Sequence, residues 1–309
     1  MLKTSCSNSH FIDVFGDKGS LVKMKECGFD TVDYGLCAYQ DLTLHGYENP
    51  KTFMFYKSDA EIKAYFTDIK HIMDDCGLPS EIVHAPYYFF ASPDQCVEKE
   101  FIEIFLKSIK AAKYLGAKYI VIHPIDNRVD PENFYQETYE YNFRFFNLLK
   151  NCALDNGVEI AIENMDNRIA LKNVLGPGCF SSAEKILRLV NDLGEGFGAC
   201  LDTGHSYCCG NDPARFARLL GDKLKVLHLQ DTDFNDDMHI PPTCGYINWD
   251  DFLTALVDIK FKGVLNMEVN FHRCGDKNMI PFGKFLASLA RDFAERIEDI
   301  KARRKNENA

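Results

Sequence analysis

The chain has 309 residues, 46% of them apolar and 26% charged, with a net charge of −11 and a pI near 5.3. This is ample material for a large buried core, and an acidic field repels phosphate backbones, which disfavours nucleic acid as a partner. No window approaches the roughly 18 consecutive apolar residues of a membrane helix, and the opening MLKTSCSNSH lacks the basic and apolar regions of a secretory signal; a cytoplasmic protein with no membrane partner is expected.

In chain order, strand-like runs rich in Val, Ile, Leu and Tyr alternate with helical patterns. The first two strands are expected at Leu2–Ser5 and Thr31–Leu36. A helix at Asp59–Asp75 presents Ile62, Tyr65, Phe66, Ile69 and Ile72 on one side. The third strand, Glu81–Ala85, leads to a helix at Asp94–Leu115 with Phe101, Ile104, Phe105, Ile109 and Tyr114 in helical spacing. The fourth, Tyr119–His123, leads to Pro131–Asn156, which opens on a proline and stops at Gly157. Strand five is Val158–Glu163, and Ser181–Leu193 follows, with Ser181 and Glu184 spaced as a capping box. Phe197–Leu201 and Asp212–Leu220, then Leu224–Leu229 and Trp249–Ile259, repeat the unit. The eighth strand, Gly263–Val269, precedes a long terminal helix from about Pro281.

Several of these strands are continuously apolar, as strands covered on both faces must be. Eight strands joined by helical crossovers, with no composition break, predict one (β/α)₈ TIM barrel spanning residues 1–309. An open doubly wound sheet would need a glycine-rich first turn, and CSNSHFIDVFGDKG has none. The 12 cysteines are scattered without a Cys-x-x-Cys pair, so they are expected to be reduced and mostly buried.

Barrel strands deliver their last residues to one rim, where active sites of this fold lie. Those positions hold His84, His123, Glu163, Asp202 with His205, His228 with Asp231, and Glu268, and His239 lies in the loop after strand seven. A lone strand-end histidine is usually structural. Glu163 and Glu268, however, each close an apolar strand, where an uncompensated carboxylate costs several kcal/mol. A metal or a partner must compensate. Glu163, Asp202, His228 and Glu268 can converge on one divalent ion, and oxygen donors with one imidazole suit Mn²⁺, Mg²⁺ or Co²⁺ better than a structural zinc site.

The motifs HAP, VIHP, IAIEN, CLDTGH, VLHLQD, DMHIPP-x-x-G-x-I-x-W and LNMEV resemble those of the sugar phosphate isomerase/epimerase family, the xylose-isomerase-like TIM barrels. The resemblance covers nearly the whole chain. It implies a divalent metal, Mn²⁺ first with Mg²⁺, Co²⁺ or Zn²⁺ as substitutes, held by Glu163, Asp202, His228 and Glu268. It implies proton exchange by Glu163 and Glu268 through a metal-stabilised enediolate, and His84, His123, His205 and His239 around a small carbohydrate substrate in a cytoplasmic enzyme, with a homodimer as the expected assembly. Departures are Phe234, where ketose epimerases carry an arginine, and Ile169, where they carry an acid.

The same superfamily contains endonuclease IV, a three-metal phosphodiesterase, and its ligands also match in type: His84, His123, Glu163, Asp202, His205, His228, Asp237, His239 and Glu268. The segment NMDNR after strand five and the acidic charge rank that reading second. A third reading is a barrel subunit that binds or acts on larger sugar conjugates, for which Tyr87, Tyr88, Phe89 and Phe90 would wall an aromatic pocket. The long segment from Asp231 to Asn248 is expected to shape the pocket, and Trp249 to start the next helix.

Overall fold

The predicted strands form, and they close on themselves. The computed structural model describes residues 1–39, 54–86, 95–125, 134–166, 169–171, 174–176, 178–234 and 236–307. Its first half runs β1 (Thr4–Cys6), α1 (Ser9–Cys27), β2 (Val32–Gly35), α2 (Asp59–Cys76), β3 (Ser80–His84), α3 (Gln95–Leu115), β4 (Tyr119–Ile122), α4 (Phe134–Asn156) and β5 (Glu159–Glu163). Then come β6 (Ile169–Leu171), β7 (Val174–Gly176), α5 (Ala183–Leu193), β8 (Phe197–Asp202), α6 (Thr203–Cys208), α7 (Pro213–Leu220), β9 (Leu224–His228), α8 (Trp249–Asp258), β10 (Leu265–Met267) and α9 (Met279–Glu307).

Strands β2-β3-β4-β5-β8-β9 make a parallel sheet, and β1 pairs in parallel with β10. Parallel bridges Ser7↔Asp33 and Leu229↔Met267 join the two pieces at both edges. Eight parallel strands therefore form a closed ring, the barrel expected. The β6–β7 pair is an antiparallel hairpin.

Local chemistry explains the helices, with some differences from expectation. In α2, Ile62, Phe66, Ile69 and Met73 are buried at helical spacing. Its start is a true capping box: Ser58 Oγ accepts from Glu61 N at 3.3 Å, and the Glu61 carboxylate accepts from Ser58 N at 3.0 Å. The box expected at Ser181 and Glu184 does not form. The N-cap of α5 is Ser182 and makes no side-chain cap bond, so Glu184 stands one position too early to reach back; Ser181 Oγ instead donates to the Gly178 carbonyl.

Helix α1 was not among the predicted elements. Gly16 interrupts it at φ 67°, ψ 173°, and so breaks the periodicity that burying Phe11, Ile12, Leu21 and Met24 otherwise displays. The short α6 was also unpredicted; it starts at once on β8 because Asp202 is its N-cap, accepting from His205 N. Asp94 and Pro131, the expected starts of α3 and α4, and Tyr87, Tyr88, Phe89 and Phe90 lie outside the described residues.

Side chains on a strand alternate between faces, so residues two apart share one. Ile82, Tyr119, Val121, Ala161, Cys200, Val226 and Val264 form a buried cluster separate from the helix–strand core. Ile82 lies two positions before His84, Val121 before His123, Ala161 before Glu163, Cys200 before Asp202 and Val226 before His228. Val264 lies four before Glu268. The apolar floor of the barrel interior and the polar residues at its rim are thus successive layers of the same inward faces.

Above β9 the chain is gathered around one carboxylate. Asp231 accepts hydrogen bonds from Thr232 N (2.9 Å), Thr243 N (2.9 Å), Ile247 N (3.2 Å) and Trp249 Nε1 (2.7 Å). Trp249 starts α8, as expected, with this anchor beneath it. Replacing Asp231 with Ala strands four donors, three of them in buried hydrogen bonds, so we expect a loss of about 2–4 kcal/mol in urea denaturation. Trp249, the sole tryptophan, should then report a wetter indole by a red-shifted emission. A loss below ~0.5 kcal/mol would show that the loop holds without this carboxylate.

Candidate metal centre

Glu163 ends β5 and has only 1% of its side chain exposed. Around it stand imidazoles from four other places in the chain. His84 Nε2 lies 3.4 Å and His123 Nε2 3.2 Å from Glu163 Oε2. On the other oxygen, His205 Nδ1 lies 3.5 Å and His228 Nδ1 3.1 Å from Oε1. His228 Nδ1 is also 2.9 Å from Glu268 Oε2. Glu268 follows β10 by one residue, and its amide donates to the Leu229 carbonyl at 3.1 Å, which seats it beside β9.

Asp202 is held so that one oxygen remains. Its Oδ1 accepts from His205 N at 2.6 Å and from Gln230 Nε2 at 3.1 Å, whereas its Oδ2 is buried without a hydrogen-bond partner among the described residues. Asn164 clasps the same residue through its backbone: Asp202 N donates to Asn164 Oδ1 (2.8 Å) and Asn164 Nδ2 donates to Asp202 O (3.1 Å). Gly204 lets Gln230 approach, since a Cβ there would stand 2.2 Å from the Gln230 amide atoms.

Beside this centre lies a second group. Asp237 Oδ2 is 2.9 Å from His239 Nε2 and 3.4 Å from His205 Nε2, and Gln230 Nε2 donates to Asp237 Oδ1 at 2.7 Å. The other ring nitrogens fix the tautomers: His84 Nδ1 faces the Ala85 carbonyl, His205 Nδ1 the Asn164 carbonyl and His239 Nδ1 the Glu268 carbonyl, at 2.9, 2.9 and 3.0 Å. A nitrogen against a carbonyl must carry the proton. The Nε2 lone pairs of the three neutral rings then point at carboxylate oxygens, and a proton or a cation must lie between.

Electrostatics agree. Burial alone would lower the His239 pKa, but Asp237 raises it to about 9; His205 is likewise raised, by Asp202 and Asp237 against burial. Burial pushes the Asp202 carboxyl up to about 7, against His205 and His239. Burial also works on Glu163, yet His228 and His123 hold it well below the usual carboxylate range. Protons that sit where carboxylates face imidazoles are the ones a divalent ion displaces.

The residues fit such an ion. Ligand atoms of Glu163, Asp202, His228 and Glu268 lie within 4.8 Å of one another, as do those of His84, Glu163 and His228, and those of Asp202, His205 and His239. Both oxygens of Glu163, Oδ2 of Asp202 and both ring nitrogens of His228 are buried without a hydrogen-bond partner among the described residues. The four residues expected to hold the metal are thus together, and His84, His123, His205 and His239 surround them. Asp231, counted among the rim candidates, is not with them, because it lies an odd number of positions from His228 and faces the loop. Asp33, Asn164 and Gln230 were missed. Their one signal was a polar residue inside an apolar strand, for Asp33, or just after one, for Asn164 and Gln230.

The sequence model of a family described as xylose isomerase-like TIM barrel matches residues 21–291. An inosose isomerase of Bacillus licheniformis is 27% identical over 189 residues, 59% of this chain and 64% of that protein, so the match spans less than two thirds of the relative. A probable endonuclease 4 of Mycoplasmoides gallisepticum is 28% identical over 181 residues, 55% of each chain. The crystal structure of a D-tagatose 3-epimerase-like protein superposes with a TM-score of 0.72 at 23% identity, covering 96% of this chain and 99% of that one.

An ion bound at this centre should stabilise the fold. With free Mn²⁺ about 100-fold above its dissociation constant, linkage supplies ~2.7 kcal/mol, a rise in Tm of about 5 °C, reversed by a chelator. Glu163→Gln should lose most of that rise. A Tm that Mn²⁺ leaves unchanged in the wild-type protein would remove the site.

Proposed function

The chain belongs to the xylose isomerase-like TIM barrel family, and from that premise we propose that it is a divalent-metal-dependent isomerase or epimerase of a small sugar or cyclitol. The observation that carries the reading is the pair Glu163 and Glu268, whose oxygens lie 3.1 and 2.9 Å from the same nitrogen of His228. Two carboxylates from different strands at one centre supply what such a reaction needs: one takes a proton from the carbon next to a carbonyl, and the other returns it.

Glu163, Asp202, His228 and Glu268 would hold the ion, and their oxygen-rich set with one imidazole suits Mn²⁺. When bound, the ion supplies Lewis acidity at adjacent substrate oxygens. Glu268, with 14% of its side chain exposed against 1% for Glu163, opens to the pocket and takes the first proton. Glu163 lies deeper, with His84 and His123 against its second oxygen. His205 and His239, on the pocket side of Asp202, orient substrate hydroxyls. Phe234 is 60% exposed and offers no cation where ketose epimerases carry an arginine, which puts inososes ahead of ketohexoses as the first substrates to try.

A second reading, an endonuclease IV-like phosphodiesterase, is favoured by one observation: there are three ligand groups rather than one. The net charge of −11 weighs against a DNA substrate.

In deuterated water the wild-type protein loaded with Mn²⁺ should exchange the hydrogen next to the carbonyl of an inosose. Glu268→Gln should slow that exchange about 100- to 10,000-fold with an unchanged circular dichroism spectrum; exchange at the wild-type rate would remove Glu268 from the chemistry. Elemental analysis separates the two readings: one ion per chain accompanies the isomerase, whereas three ions with cleavage of an abasic duplex would establish the nuclease in its place.

A further inference from the structure

Asp33 is a carboxylate that the proposed chemistry leaves unused. It sits in β2, fully buried, where an isolated charge is costly. Among the described residues no lysine or arginine forms an ion pair with it. Its Oδ2 accepts a hydrogen bond from Asn266 Nδ2 of β10 at 2.9 Å, and the same oxygen faces His228 Nε2 of β9 at 3.6 Å. Its Oδ1 has no hydrogen-bond partner among the described residues. The Asn266 amide therefore fixes the carboxyl on one side and leaves it directed at the far edge of the His228 ring.

His228 is held between two sets of carboxylates. Nδ1 faces Glu163 and Glu268, and Nε2 faces Asp33. The ring stacks on His84 with centroids 5.4 Å apart and planes at 22°, which limits its rotation. A neutral imidazole carries one proton, and only the nitrogen without it can bind an ion. If the proton sits on Nδ1, the ring cannot serve the centre; if it sits on Nε2, the ring can. Once an ion takes up the charge of Glu163 and Glu268 on the Nδ1 side, a carboxylate at Nε2 favours the second form.

We propose that Asp33 is the positioning residue of the metal centre: it keeps the His228 ring proton on Nε2 and so leaves the Nδ1 lone pair aimed between Glu163 and Glu268. The separation of 3.6 Å exceeds an N–H···O hydrogen bond by about half an ångström, and a small tilt of the ring toward Asp33 as Nδ1 engages an ion closes it. Asn266 takes part by orienting Asp33, not by touching the ring. This inference rests on the reading of His228 as a ligand.

The test uses Zn²⁺, which is diamagnetic, on the full chain. Affinity is measured by competition with a chromophoric chelator, and the His228 tautomer by ¹⁵N spectra of histidine-labelled protein. In Zn²⁺-loaded wild type, His228 should be protonated at Nε2. Asp33→Ala should bind Zn²⁺ about 10- to 100-fold more weakly, while Asp33→Asn, whose carbonyl still accepts from Nε2–H, should recover most of the affinity. Equal affinity in wild type and Asp33→Ala would overturn the positioning role and leave His228 a ligand. A proton on Nδ1 in the loaded wild type would overturn it too, and this readout stands even if the alanine variant does not fold. No Zn²⁺ binding by wild type would overturn both this role and the reading of the centre.

Discussion

Everything at the rim of this barrel depends on Glu163, a carboxylate with both oxygens buried and no hydrogen-bond donor among the described residues. In water it would be solvated on all sides. Here its surroundings are imidazoles, which can bear a proton or yield to a cation, and the apolar layer of Ala161 and its neighbours below. Removing a carboxylate from water without compensation costs several kcal/mol. The compensation must come from positive charge, and among the described residues it comes conditionally, through histidines. That condition marks the centre as a candidate binding site.

The barrel makes such a concentration of charge possible. Parallel strands all end at the same rim, so residues far apart in sequence meet with little loop in between. Glu163, Asp202 and His228 are each the last residue of a strand, and each continues an inward face whose preceding member is apolar. The layer below cannot solvate them. Asp231 completes the arrangement from outside. By satisfying four donors of one loop it fixes where Asp237 and His239 stand, and Gln230 links that loop back to Asp202.

How much of this was legible follows from the same alternation. The eight strands and the four residues of the centre could be read because each strand is an apolar run that ends in a polar residue of ligand type. Asp231 was misplaced among the candidates because closeness to a strand end was counted without its parity. Asp33 was missed for the opposite reason: it lies inside a strand, where a polar residue looks like noise until the partners on β9 and β10 are known. Helix α1 was hidden by Gly16, which interrupts its spacing. The capping box was assigned to Ser181 and Glu184, where α5 starts one residue late, while the one at Ser58 and Glu61 went unremarked. Pairings across the ring, such as Asn266 with Asp33 over 233 positions, leave no local trace.

The two oxygens of Glu163 also frame the choice between one ion and several. Oε1 meets His205 and His228, and Oε2 meets His84 and His123, so the carboxylate can serve two positions at once. A single ion on the Oε1 side would leave Oε2 to a proton shared with His84, whose pKa is pulled down by burial but raised overall by Glu163. A second ion would displace that proton, and His84 and His123 would be its ligands. The fold thus does not choose the chemistry by its ligand set alone. The choice would lie in whether the Oε2 side of Glu163 keeps its proton, and His84 and His123 are the groups that face it there.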